Sequence, residues 1–178
     1  LLNTGARVGE ILALEWENVD FENNKISIEK SLYYDDGGHP HLNETPKNKY
    51  SVRDVYVNEE TMNIFKEKLE IYKQNKKEFR NYFKDEGFVF SRNDGTLEKK
   101  ACLDYFGKLI KRKVKITSPI HSLRHTHISF LVEAGYNLKN IQERVGHNDL
   151  KTTLNIYTHV TNEQKKDLGV NLNFFTKK

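Results

Sequence analysis

Cysteine, proline, methionine and tryptophan are scarce in this chain of 178 residues, which contains one cysteine, three prolines, one methionine and one tryptophan. The single cysteine, Cys102, excludes a disulfide within the chain. Because it lies in an apolar helical pattern with Leu103 and Phe106, we expect a buried, reduced thiol. No apolar run approaches the length that spans a bilayer, and no segment has the pattern of a secretory signal. These features predict a soluble protein of a reducing cytoplasm, without a membrane partner.

Sequence patterns that would indicate a cofactor are also missing. The phosphate-binding pattern G-x-x-x-x-G-K-[ST] does not occur, and no group of carboxylates is suited to a two-metal site. His121, His125 and His127 are close in sequence, but the glutamate of the zinc motif H-E-x-x-H is absent. We therefore expect no metal, no ATP and no other cofactor.

Positive charge is concentrated in one part of the chain. The net charge is only +4, and 30% of the residues are charged. Residues 1–44 contain nine acids and three bases, whereas residues 97–125 contain eight lysines and arginines and two acids. A basic segment of this kind is typical of a surface that binds a polyanion, although a solvated helix face has the same composition.

The hydrophobic pattern predicts one mainly helical α+β domain spanning residues 1–178 with a small antiparallel sheet of three strands. The strands are expected at 25–32, 53–57 and 88–90, with a turn at 19–24, a loop at 35–40 and a basic hairpin tip at 45–49. Helices are expected at 10–16, 59–73, 97–112, about 118–135 and 138–145. The chain begins without methionine inside an element, so we expect that an N-terminal part is missing.

His121 and Arg124 are candidates for binding a phosphate diester. They are three residues apart in an expected helix, which places them on the same face, and a guanidinium can bind two phosphate oxygens at once. Taken alone, the pair is more typical of an arginine in an ion pair beside a surface or capping histidine. His147, which follows Gly146, makes the phosphate interpretation stronger.

Arg7 and Tyr157 extend this set towards both ends of the chain. Arg7 lies between Gly5 and Gly9, which permit close approach of a ligand to the backbone, and Glu10 could orient it through an ion pair. Sequence spacing alone cannot place Arg7 beside the other candidates. Tyr157 is one of nine tyrosines, and its phenol, with a pKa near ~10, needs a base or a positive field to act as a nucleophile.

The chain resembles the catalytic domain of tyrosine recombinases, the phage integrase family. The motifs that carry the resemblance are TGARVGE at 4–10, HSLRHT at 121–126, VGH at 145–147 and TTLNIYTH at 152–159. They occur in the family's order, and the resemblance covers essentially the whole chain. One departure is Tyr56, which stands where proline is common, and this position belongs to the sheet edge.

The resemblance implies a role for each of six residues. Arg7 and Arg124 would hold the scissile phosphate and stabilise the transition state, and His147 would donate to a non-bridging oxygen. His121 would act as general acid/base, and Tyr157 would form a 3′-phosphotyrosyl bond. Lys47 would protonate the leaving 5′-oxygen, although Lys49 is equally basic and remains an alternative.

The same resemblance implies site-specific cleavage and rejoining of double-stranded DNA in the bacterial cytoplasm, at the nucleoid. The expected assembly is a homo-tetramer on DNA, together with accessory DNA-bending proteins. The tail at 161–178 would either dock on a neighbouring protomer or pack on its own domain. The alternatives are a type IB topoisomerase, which religates the same strand, a DNA-binding module without catalysis, and an unrelated helical domain.

Overall fold

The computed structural model describes residues 1–43, 51–114, 120, 122–148, 151, 154 and 158. The helices in these residues are α1 (Val8–Leu12), α2 (Glu59–Phe79), α3 (Lys100–Val114), α4 (Ser122–Glu133) and α5 (Leu138–Val145). The strands are β1 (Val19–Asp20), β2 (Lys25–Ile28), β3 (Ser31–Tyr34), β4 (Pro40–Asn43) and β5 (Arg53–Tyr56), and 3₁₀ turns occur at Trp16–Asn18 and Arg80–Tyr82.

Strands β1, β2 and β5 form an antiparallel sheet with β2 in the centre. Val19 pairs with Ile26, which also pairs with Val55, so three buried residues form a row across the sheet. Met62 and Phe65 of α2 belong to the same core, so helix and sheet pack face to face. The predicted mainly helical α+β architecture with a three-stranded antiparallel sheet is confirmed.

Strands β3 and β4 form a separate hairpin that packs against α1. The backbones of α1 and β3 approach so closely at Gly9 that a Cβ atom there would lie 2.3 Å from the carbonyl oxygen of Leu32. Glycine is therefore required at this second residue of the short helix, and the close contact fixes the position of the α1 N-terminus.

Helices α4 and α5 share a small core of their own, formed by Ile128, Val132, Ile141 and Val145. Asn137 is the N-cap of α5, and its side chain accepts a hydrogen bond from the backbone N–H of Lys139 at 2.8 Å. Both this cap and the span of the helix agree with the prediction.

The structure corrects several predicted elements. The expected strand 25–32 is two strands, β2 and β3, which pair with different partners in different sheets. Residues 88–90 form no strand beyond an isolated bridge from Phe88 to Glu15, and the sheet's third strand is β1, inside the expected turn. The first helix begins earlier and ends at Leu12, and the second continues to Phe79.

Cys102 is exposed, so the prediction of a buried thiol was wrong. Its neighbour Leu103 is the residue of this turn that packs against the core of α1 and β3. Successive residues of a helix differ by about 100° in direction, so Cys102 faces away from that contact. The expected hairpin tip 45–49 and tail 161–178 lie outside the described residues. No helix within the described ranges is long and apolar enough to cross a membrane.

Candidate active site

The described residues include three of the six predicted site residues, Arg7, Arg124 and His147. Lys47, His121 and Tyr157 lie outside them. The three described side chains come from three separate elements: the N-terminus of α1, the first turn of α4 and the segment that directly follows α5. Arg7 and Arg124 both contact Glu10, and Arg7 also donates to the carbonyl of Gly146, the residue before His147.

Arg7 is the N-cap residue of α1 and is held by Glu10, three residues along the chain. Its backbone N–H donates to Glu10 Oε2 at 2.7 Å, and its Nη1 donates to Oε1 at 2.8 Å. Its Nη2 donates to the carbonyl of Gly146 at 3.1 Å, which ties α1 to the end of α5. Because the side chain remains 40% exposed, the guanidinium is oriented and still accessible to a ligand.

Arg124 lies almost entirely inside the protein, with a side chain that is 2% exposed. Its Nη1 donates to the carbonyl of Gly5 at 2.8 Å and lies 3.9 Å from Glu10 Oε2. Its Nη2 is buried and has no hydrogen-bond partner among the described residues. Burial, together with the charge of Arg7, lowers the pKa of Arg124 to about 9, so the guanidinium stays charged at neutral pH.

Glu10 connects these arginines to a third one, Arg53 of β5. Arg53 Nη2 donates to Glu10 Oε2 at 2.7 Å, and the two side chains are 7% and 5% exposed. Burial alone would raise the pKa of the Glu10 carboxyl. Hydrogen bonds and charge from Arg53 and Arg7 outweigh that effect and lower the pKa below its usual value.

His147 is placed by the way α5 ends. Gly146 has left-handed backbone angles (φ 67°). Its N–H donates to the carbonyl of Glu143 at 3.2 Å, and the N–H of His147 donates to the carbonyl of Gln142 at 3.2 Å. This Schellman arrangement turns the chain sharply and leaves His147 7% exposed. Burial, and then the charges of Arg124 and Arg7, lower its pKa to about 4, so the imidazole is neutral at pH 7.

The charges at this site are unbalanced in favour of an anion. Among the described residues, Arg7, Arg53 and Arg124 meet one carboxylate, that of Glu10, which leaves two net positive charges on these four side chains. The N–H groups of Arg124 Nη2, which find no acceptor within the described ranges, add donors whose burial is costly unless an acceptor reaches them. The arrangement can therefore bind and stabilise a doubly charged group such as a phosphorane.

Sequence reasoning missed Arg53 and Arg144 and considered His127 only as a zinc ligand. Arg53 carried a detectable signal, because it lies two residues before Val55 and therefore on the same, inward-pointing face of β5. A charge on a buried face needs a partner. His127 and Arg144 had no signal of this kind, because their contact joins two helices whose packing the sequence does not specify.

Comparisons with known proteins give matches over most of the chain. The model of the phage integrase family matches residues 1–164. The integrase of Staphylococcus phage L54a is 34% identical over 173 residues, covering 93% of this chain and 47% of the relative. The ICEBs1 integrase of Bacillus subtilis is 32% identical over 174 residues, covering 93% and 45%. The chain thus spans about half the length of these curated relatives.

Solved structures agree on the fold. The Tn1549 transposon integrase, in complex with transposon right end DNA, superposes with a TM-score of 0.72 and 28% identity, covering 95% of this chain and 56% of that one. XerA recombinase, at 22% identity, covers 93% and 53% with a TM-score of 0.67 and shares the fold. The expected catalytic-domain fold is therefore confirmed.

Proposed function

Because the chain belongs to the phage integrase family, as its motifs predicted, we propose that it is the catalytic domain of a tyrosine-type site-specific recombinase. It cleaves one strand of double-stranded DNA, holds the 3′-phosphate on Tyr157 and transfers it to a new 5′-hydroxyl. The observation that carries the proposal is the buried guanidinium of Arg124, which contacts the same carboxylate as Arg7 and whose Nη2 has no partner in the part of the chain that the structure describes.

The charge balance at the site explains how the reaction proceeds. A phosphodiester carries one negative charge, and attack by an oxygen nucleophile gives a phosphorane with an additional one. The two net positive charges of Arg7, Arg53, Arg124 and Glu10 match that species better than they match the diester. Preorganised donors of this kind each contribute a few kcal/mol to transition-state stabilisation, and they lower the barrier only to the extent that they bind the transition state more strongly.

The proton transfers are assigned to the remaining residues. The Tyr157 hydroxyl gives its proton to His121 and attacks phosphorus, while the bond from phosphorus to the 5′-oxygen breaks. Lys47, or Lys49 in its place, protonates the leaving 5′-oxygen. His147, neutral because its pKa is lowered to about 4, keeps one ring N–H and donates it to a non-bridging oxygen. Rejoining is the same sequence in reverse, so the phosphotyrosyl bond conserves the energy of the diester.

Double-stranded DNA is the proposed partner. The Tn1549 transposon integrase was solved in complex with DNA, and the sequence of this chain has its basic segment at residues 97–125. We assign residues 1–178 to one domain. We further propose that its tail, residues 161–178, is exchanged between the protomers of a DNA-bound tetramer, and that accessory DNA-bending proteins assist the assembly. Such a protein would act in the bacterial cytoplasm, at the nucleoid.

The test is covalent capture of DNA by the protein. A pool of nicked duplexes with a randomised centre is incubated with the chain, and DNA that remains attached in denaturing detergent is sequenced to give the preferred site. On that site we expect wild type to form an adduct, in the presence of excess EDTA as well. Tyr157→Phe should form none while it still binds DNA.

Tyr82→Phe is the matched control, because Tyr82 is 84% exposed and lies in a 3₁₀ turn between α2 and α3. It should form the adduct at the wild-type rate. An undiminished adduct in Tyr157→Phe would refute the nucleophile assignment. Transfer of the captured strand to a second duplex separates a recombinase from a topoisomerase, and the integrase relatives favour the former.

A further inference from the structure

His127 lies one helical turn after Arg124 on α4, and both of its ring nitrogens are engaged. The Nε–H of Arg144 donates to His127 Nε2 at 3.1 Å, so Nε2 must be the unprotonated nitrogen. The proton therefore resides on Nδ1, which donates to the carbonyl of Leu2 at 2.7 Å. The residue is 8% exposed, and burial together with the charge of Arg144 lowers its pKa to about 4, so this neutral tautomer is retained at pH 7.

Arg144 extends this contact to two further parts of the site. Its Nη2 donates to the carbonyl of Asn3 at 3.0 Å, and its own carbonyl accepts a hydrogen bond from Arg53 Nε at 2.8 Å. Arg53 in turn binds Glu10. Arg144 thus connects the segment 2–3, helix α4 and strand β5.

The segment that precedes Arg7 is packed directly on the His127 ring. A Cβ atom at Gly5 would lie 2.4 Å from His127 Cδ2, so only glycine fits at this position. The carbonyl of Gly5 is also the acceptor for Arg124 Nη1. The path of residues 2–5 over the ring therefore determines where both predicted phosphate-binding arginines lie.

We propose that His127 and Arg144 are positioning residues for strand cleavage, because their hydrogen bond holds the segment before Arg7, helix α4 and the end of α5 in one register. The inference rests on the proposed function. Neither residue touches the phosphate in this scheme. They act through the placement of Arg7, Arg124 and His147, which come from the three segments that the pair connects.

Substitutions of His127 separate its two hydrogen bonds. The Oε1 of glutamine lies near the position of Nε2, so His127→Gln keeps an acceptor for Arg144. The Nδ2 of asparagine lies near Nδ1, so His127→Asn keeps only a donor to Leu2. Phenylalanine keeps the ring and loses both bonds. These variants are compared by the first-order rate of adduct formation at saturating DNA and by the Kd for the same nicked duplex, which wild-type capture has identified.

We expect His127→Phe and His127→Asn to slow adduct formation by roughly tenfold to a hundredfold, the effect of misplacing catalytic groups by about 1 Å. Their Kd for DNA should be unchanged. His127→Gln should restore most of the rate, and the gain should disappear when Arg144 is also replaced by leucine. The control is Val132→Ala, which removes buried methyl groups from the same α4–α5 interface without touching the hydrogen bonds. It should lower stability and leave the rate unchanged.

The possible outcomes are distinguishable. If His127→Gln is as slow as His127→Asn, or if Val132→Ala slows the reaction as much as either, the assignment is wrong and the residues are only structural. Should His127→Phe fail to fold, the glutamine and asparagine pair decides the question. Absence of an adduct with folded wild type would overturn the proposed function and this role with it, whereas the other failures leave the proposed function intact.

Discussion

Replacing Glu10 with glutamine is the sharpest perturbation of the site that the structure offers. The change keeps the size and one acceptor oxygen of the side chain and removes its negative charge. Arg53 and Arg124, 7% and 2% exposed, would then lack their counter-ion, and Arg7 would lose its orienting ion pair. The formal charge among these four side chains would rise from +2 to +3, as one carboxylate among three guanidinium groups is lost.

The expected cost follows from burial. Removing one partner of a buried ion pair typically costs about 3–5 kcal/mol, because the remaining charge is left uncompensated. Glutamine still accepts a hydrogen bond through its remaining oxygen, so we expect the lower end of that range, about 3 kcal/mol of the free energy of unfolding. A domain of this size has a total stability of about 5–15 kcal/mol, so a positive free energy of unfolding would remain and the variant should stay folded.

Urea unfolding followed by tryptophan fluorescence measures this loss. Trp16 is the chain's one tryptophan and packs edge-on against Tyr72 with ring centroids 5.7 Å apart, so its emission reports on the core. Glu70→Gln is the matched control, because Glu70 is 72% exposed in its pair with Lys73 and should change stability by less than about 0.5 kcal/mol. Equal effects of the two substitutions would refute the role of Glu10 as the counter-ion of the buried arginines.

Two further expectations concern pH and packing. His127 and His147 have pKa values lowered to about 4, first by burial and then by nearby arginines, whereas a histidine of the unfolded chain titrates near ~6.5. The unfolded state therefore binds more protons between these two pH values. The free energy of unfolding should have its highest value above pH ~6.5 and should decrease by roughly 3 kcal/mol per histidine as the pH falls towards 4. Urea titrations at several pH values measure this, and a flat profile would contradict it. In the same unfolding assay Gly9→Ala should cost about 1–3 kcal/mol, because its Cβ would meet the Leu32 carbonyl at 2.3 Å. Gly107 lies in α3, and a Cβ atom there would have its nearest neighbour at 3.5 Å. Gly107→Ala should therefore be neutral or stabilising by up to about 1 kcal/mol. Equal losses from the two alanines would contradict the close approach of α1 and β3.

Helix α5 and its boundaries were predictable because the signals are local. Asn137 caps its start and Gly146 adopts the left-handed conformation at its end, and both residue types have a strong preference for these positions. The start of α2 at Glu59 was predictable for the same reason, since Asn58 caps it. The division of 25–32 into β2 and β3 was not predictable, because the alternation of side chains continues across the break. The two strands are separated only by their partners: β2 pairs with β5 in one sheet, and β3 pairs with β4 in another.

The sequence by itself determined the family, through four ordered motifs, and it supplied Arg7, Arg124 and His147 as candidate site residues together with the suggestion that Glu10 orients Arg7. Only the tertiary structure decided that one carboxylate serves three arginines and that His127 and Arg144 join the segments around them. The physical reason is that a buried charge must find its partner wherever packing places one, and Glu10 and Arg53 are 43 residues apart in the chain. Local residue preferences carry no information about a contact at that distance.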